Sequence, residues 1–163
     1  VKLWQIDGRA VKTLPGHKYD VWSLDCSQDG QRIVTADLGG TVKLWNINGQ
    51  EIKSFEASPQ AIFGVSFSPD SQFIATAGGD TQGKLWNLEG KEIQTIGKHK
   101  NYAIGVRFSP DGQTIASTSA DTTVKVWNLE GKELKTLRGH RNSVFGLSFS
   151  PDSQTIATAG GDD

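Results

Sequence analysis

The chain has 163 residues, and a globular chain of that length buries roughly two thirds of the surface its unfolded form exposes, so a real core is within reach. Its 17 Lys and Arg side chains against 18 Asp and Glu leave a formal charge of -1, which removes the bulk attraction to a phosphate backbone or an anionic membrane and argues against nucleic acid or membrane as partners. No apolar run is long enough to span a bilayer, Val1-Lys2-Leu3-Trp4 has no signal pattern, and the single cysteine, Cys26, excludes an internal disulfide framework. A soluble, cytoplasmic protein is expected. The absence of methionine points to a piece of something longer.

In chain order, the first stretch, 1–16, reads as two β-rich segments around a Trp4 that returns periodically. Trp4, Trp45, Trp86 and Trp127 are each 41 residues apart, and an array is the first thing such spacing implies. Lys2, Lys43, Lys84 and Lys125 keep the same register, as do Gly8, Gly49, Gly90 and Gly131, and Ile33, Ile74, Ile115 and Ile156. Cut at that period, the chain gives whole units at 17–57, 58–98 and 99–139. Residues 1–16 then hold the third and fourth strands of one unit, and 140–163 the first and second strands of another.

The third unit shows the four strands best. Val106 and Phe108 alternate with polar residues and run into Ser109-Pro110-Asp111-Gly112, where Pro presets φ and Gly accepts a positive value, so a hairpin turns there. Thr114 to Thr118 forms the second strand and meets a tight turn at Ala120-Asp121-Thr122. Val124, Val126 and Trp127 mark the third. After a turn at Glu130-Gly131, Glu133 to Leu137 alternates polar with apolar, as an outer strand with one wet face should. In the last unit the apolar columns at 144, 147 and 149 are spaced three then two, which predicts a β-bulge in the innermost strand. Four strands in a period of 41 residues, with no helical periodicity, indicate an all-β propeller built from four-stranded antiparallel blades.

Here the chain resembles the WD40 repeat family, over its whole length. Gly16-His17 and Gly139-His140 stand where the family has Gly-His before the first strand. Trp45-Asn46, Trp86-Asn87 and Trp127-Asn128 stand where it has Trp-Asp, with Asn offering the same acceptor oxygen. The resemblance implies a buried hydrogen-bond chain from Trp through Ser or Thr and His to Asp in each blade. By position these are Trp127, Ser117, His99 and Asp121 in the third unit. The second has Thr76, Asp80 and Trp86, with Ser58 where His belongs. The first has His17, Thr35 and Trp45, with Gly39 at the Asp position and Asp37 two residues early. The last has His140, Thr158 and Asp162. The first two blades are therefore expected to be softer than the third.

His99, Ser117 and Asp121 also have the residue types of a catalytic triad, but the set recurs as part of the repeat, and a triad needs an exposed nucleophile beside a pocket. The structural reading is preferred, and no enzyme activity, cofactor or metal is expected. Three histidines in different units cannot share one zinc ion. The glycine run Gly78 to Gly83 lacks both the spacing and the following helix of a phosphate loop. Cys26 shares a column with Phe67, Phe108 and Phe149 and is expected to be a buried small hydrophobe.

The functional expectation rests on the loop face. In propellers that resemble this chain, the loops before the first strand and the turns between second and third strands open on one face where partners dock. There the sequence places Asp20 and Trp22, Phe63, Tyr102 and Ile104, and Phe145, with Leu38 as a further member. Aromatic groups gathered on a rim are frequent interaction anchors. The expectation is a non-catalytic scaffold that binds other proteins or peptides. The alternatives are an architectural ring or spacer without a ligand, and a phosphopeptide binder using the basic rim of Lys18, Lys98, Lys100, Arg138 and Arg141. Self-association is a further expectation, since Trp4 can complete the blade of His140, Thr158 and Asp162 within one chain or between two.

Overall fold

The computed structural model describes residues 1–162, and every regular element among them is a β-strand. The first two, β1 (Lys2–Trp4) and β2 (Ala10–Thr13), form a two-stranded sheet. Three four-stranded sheets follow. The first is β3 (Val21–Cys26), β4 (Arg32–Asp37), β5 (Thr41–Asn46) and β6 (Glu51–Glu56). The second is β7 (Ile62–Phe67), β8 (Phe73–Gly78), β9 (Gln82–Asn87) and β10 (Glu92–Lys98). The third is β11 (Ala103–Phe108), β12 (Thr114–Ser119), β13 (Val124–Asn128) and β14 (Glu133–Leu137). A final pair, β15 (Val144–Phe149) and β16 (Ile156–Gly160), closes the sequence of elements. In each whole sheet the strands lie in chain order and every pairing is antiparallel, so each is a meander joined by tight turns.

The turns form where the sequence carries turn chemistry. Between β11 and β12 the Gly112 N–H donates to Ser109 O at 2.9 Å and Gly112 takes φ +70°, a value that costs a glycine little. The Ser109 hydroxyl donates to Asp111 at 2.6 Å and accepts the Thr114 N–H at 3.0 Å, closing the hairpin from inside. Ser68 with Asp70 and Ser150 with Asp152 repeat this arrangement.

The innermost strands β3, β7, β11 and β15 lie side by side in space, and all four carry a register shift near their start, as between Val144 and Gly146. The extra residue re-aims the first part of each strand, which is why the apolar columns there are spaced three then two. Inner strands are also tied across blades: the Val65 N–H donates to Ser23 Oγ at 3.1 Å and the Phe67 N–H to Asp25 Oδ2 at 2.8 Å.

The core lies between sheets. Val34, Val42 and Leu44 of the first whole sheet meet Ile62, Val65, Phe67 and Ile74 of the second. Ala75, Ala77 and Leu85 of the second meet Ala103, Val106, Phe108 and Ile115 of the third. Face-to-face burial of successive four-stranded sheets about a row of inner strands makes these sheets the blades of a propeller.

This packing corrects two expectations. Cys26 is exposed. Its column mates Phe67 and Phe108 are buried because each packs into the core shared with the preceding blade, and among the described residues no inner strand precedes β3. Completion of the last blade by Trp4 within one chain is the second. The β1–β2 pair packs Val1 and Leu3 onto Leu14, Ile33 and Trp45, β15 packs on β11 and β12, and the two half-sheets share no ladder. Each half-sheet is held by its neighbouring whole blade, and Trp4 is left 58% exposed.

Candidate functional site

Two arrays of side chains stand out, one buried and one open. The buried array is the polar chain. In the third blade the Trp127 indole N–H donates to Ser117 Oγ at 2.9 Å, and Ser117 lies 2.7 Å from His99 Nε2. His99 Nδ1 lies 3.2 Å from Asp121 Oδ2. His99 and Ser117 are both buried. Burial lowers the His99 pKa and outweighs the raising influence of the Asp121 charge, so the ring is neutral. A neutral ring with Nδ1–H on Asp121 must accept at Nε2, which makes the Ser117 hydroxyl a donor and gives every link one direction. Burial works against the Asp121 anion, but the Thr123 hydroxyl, the N–H groups of Lys100 and Thr123, and His99 hold its pKa down at about 2. A serine hydroxyl committed to an imidazole inside the blade is no nucleophile for a substrate.

The other blades vary on this chain. In the first, Trp45 donates to Thr35 at 2.9 Å, and Thr35 lies 2.6 Å from His17 Nε2. Asp37 takes the Asp role with Oδ2 2.8 Å from His17 Nδ1. The chain is therefore complete, which removes the ground for expecting a softer first blade. The reason is steric: the Tyr19 ring lies where a side chain at Gly39 would have to be, 2.1 Å from the position of an added Cβ, so the carboxylate comes from the end of β4 instead. Asp37 also accepts the N–H groups of Thr41 and Gly39. In the second blade Trp86 donates to Thr76 at 2.9 Å, but Asp80 turns to Lys84, 3.6 Å away. Ser58, in the His column, accepts the Gln60 N–H. In the last blade His140 lies 2.8 Å from Asp162 and 2.9 Å from Thr158. The lysine column that fixes the repeat register has its own place here: Lys43, Lys84 and Lys125 set their ammonium groups 5.8, 5.8 and 5.1 Å from the Trp45, Trp86 and Trp127 rings.

Ser117→Ala should cost about 1 to 3 kcal/mol, because it strands both the Trp127 donor and the His99 acceptor in a dry site. Ser58→His, which supplies the missing member beside Thr76, should be neutral or stabilising. Urea melts of the two variants check both. A harmless Ser117→Ala together with a damaging Ser58→His would overturn these assignments.

The open array lies at the bulged ends of the inner strands. Trp22, Phe63, Tyr102, Ile104 and Phe145 line one cavity of about 350 Å³. Trp22, Tyr102 and Phe145 are exposed, and Phe63 and Ile104 are half-buried. The rings run in series: Phe63 meets Trp22 edge to face at 6.3 Å between centroids and meets Tyr102 at 6.1 Å. The register shift of each inner strand falls at its rim residue, Trp22, Phe63, Ile104 or Phe145, and the Trp22–Phe63 and Phe63–Tyr102 contacts cross from one blade to the next. Asp20 and Leu38 do not line this cavity. The Leu38 N–H donates to Asp20 O at 3.0 Å, and Asp20 borders a second depression with Val1, Tyr19 and Trp22, so Trp22 lines both. Sequence reasoning passed over Arg107, which also lines the cavity. Its signal was available: an arginine stands between Val106 and Phe108 where the other units have Asp25, Ser66 and Ser148.

Successive four-stranded blades that each repeat the polar chain in whole or in part, beside a rim of apolar side chains, define a repeat protein of the propeller class. The family model described as WD domain, G-beta repeat, matches residues 8–46, 49–87, 90–128 and 131–163. The chain belongs to the WD40 repeat family. Comparison with curated proteins gave no match. WD40 repeats generally mediate protein interactions and are typically non-enzymatic.

Proposed function

We propose that this chain is an interaction scaffold that holds protein segments on the aromatic rim at the bulged ends of its inner strands. The observation that supports this best is the continuity of the rim. Three successive blades contribute Trp22, Phe63 and Tyr102 as ring-to-ring neighbours, and two of those rings are more than half exposed. Apolar side chains of that size left in water are normally scattered singly, whereas a contiguous patch beside a cavity is the form an interaction surface takes. Rings supply large contact area with few rotatable bonds, so ordering them on binding costs little entropy.

Trp22→Ala and Phe63→Ala should each weaken partner binding by about 1 to 4 kcal/mol, the range for interface anchors, with little change in melting temperature. Lys12→Ala and Lys135→Ala, on the exposed outer strands β2 and β14, should leave affinity unchanged. The measurement is a pull-down from source lysate followed by titration of the recovered partner against all four variants. If the aromatic changes unfold the protein while affinity per folded molecule stays constant, the rings are core and the reading is wrong.

A further inference from the structure

Resting on that reading, the geometry points to the chemistry of the partner: a peptide segment that places a large apolar side chain in the rim cavity and a neighbouring carboxylate on Arg107. Among the residues lining the cavity Arg107 carries the only charge, and no acidic side chain is among them. Its guanidinium is anchored from one side. Nη1 donates to Val65 O at 3.1 Å and to Val106 O at 2.9 Å, which fixes the plane by tying it to two inner strands. Among the described residues Nη2 and Nε make no hydrogen bond, so one edge of a pre-oriented fork remains, the arrangement that suits a carboxylate held by two parallel bonds.

Surroundings of Trp22, Phe63, Tyr102, Ile104 and Phe145 sharpen the choice. A purely apolar occupant would cover the guanidinium without pairing it, and an unpaired charge taken out of water opposes binding. A cationic occupant, which open ring faces alone would favour, is repelled by the fixed positive charge. An apolar group beside a carboxylate satisfies both parts of the cavity. The low-dielectric walls strengthen the ion pair relative to water.

The test pans a phage-displayed library of random peptides on the full chain, on Arg107→Gln, on Arg107→Lys, on Trp22→Ala and on Phe63→Ala, with melting curves to establish that each variant is folded. Sequences enriched on the wild-type chain should carry Phe, Trp, Leu or Ile beside Asp or Glu. The best such peptide and its Asn or Gln counterpart are then titrated by isothermal calorimetry. The acidic peptide should bind at least about tenfold tighter than the amide, a ratio expected for a buried charge-assisted pair. Arg107→Gln should remove that ratio while leaving the amide's affinity in place, and Arg107→Lys should retain part of it. Enrichment of apolar residues without acidic neighbours, or equal binding of acid and amide, overturns the role of Arg107 and leaves the rim reading standing. Should Arg107→Gln fail to fold, the acid-to-amide ratio on the wild-type chain and its decline with salt decide the matter alone. No enrichment that depends on Trp22 or Phe63 overturns both readings.

Discussion

Trp45→Ala should lower the free energy of unfolding by about 3 to 5 kcal/mol, the range for deleting a large buried ring. Trp45 is 2% exposed and sits in a core cluster with Leu14 and Ile33. Its indole N–H meets Thr35, so the change opens a cavity and also takes from Thr35 and His17 the donor that begins their chain. Trp4 is the control, because it occupies the same column of the repeat and lies 58% exposed. Trp4→Ala should change stability by less than about 1 kcal/mol, as surface substitutions do. Urea unfolding followed by far-ultraviolet circular dichroism measures both. Equal small shifts would show that the interface beside Trp45 contributes little to folding.

The contrast between these two tryptophans shows what a repeat makes legible. Column identity depends on what each unit needs within itself, and that much was readable: the four strands, the hairpin at Ser109 to Gly112, and the bulge predicted from the spacing of Val144, Leu147 and Phe149, seen as the register shift after Val144. What a column cannot carry is the neighbourhood of a particular copy. Cys26 and Phe67 share a column, yet among the described residues only Phe67 has a preceding inner strand to pack against. Exposure therefore differs where the columns agree.

The candidate site divides the same way. The polar chain was legible because its members recur at fixed offsets, and the second blade's gap at Ser58 could be read directly. Substitution of Asp37 for the missing acid at position 39 could not, since it depends on where the Tyr19 ring falls in space. On the rim, the column of Trp22, Phe63, Ile104 and Phe145 was legible. That Tyr102, from a different column, supplies the next ring beside Phe63 follows only from how the bulged strands turn. Arg107 was hidden because it breaks its column: a search for what repeats discards the single copy that differs.

Gly40→Ala should be among the most damaging single-methyl changes in the molecule, at about 3 kcal/mol or more. Gly40 lies in the turn between β4 and β5 with φ +88°, but conformation alone does not decide the cost. The equivalent positions in the next two units are Thr81 at φ +70° and Thr122 at φ +71°, so a side chain is accepted in this bend when space allows. Space is what Gly40 lacks. An added Cβ would lie 1.9 Å from the Ser58 carbonyl oxygen and 2.7 Å from that of Gln60, both backbone atoms that cannot swing aside. The segment after β6 crosses closely here because the N–H groups of Ala57 and Ser58 both donate to Gly40 O, whereas Thr81 O receives one such bond, from His99. Relieving the clash would break that pair of bonds and lift the connection that leads into β7 and to Phe63. Gly30→Ala separates the two contributions: Gly30 has φ +68° with nothing within 4 Å of an added Cβ, so it should show backbone strain alone, about 1 kcal/mol. Urea midpoints of the two variants, with total tryptophan fluorescence as a second probe, measure the difference. If Gly40→Ala is no worse than Gly30→Ala, the crossing over Gly40 yields easily and does not set the position of the rim.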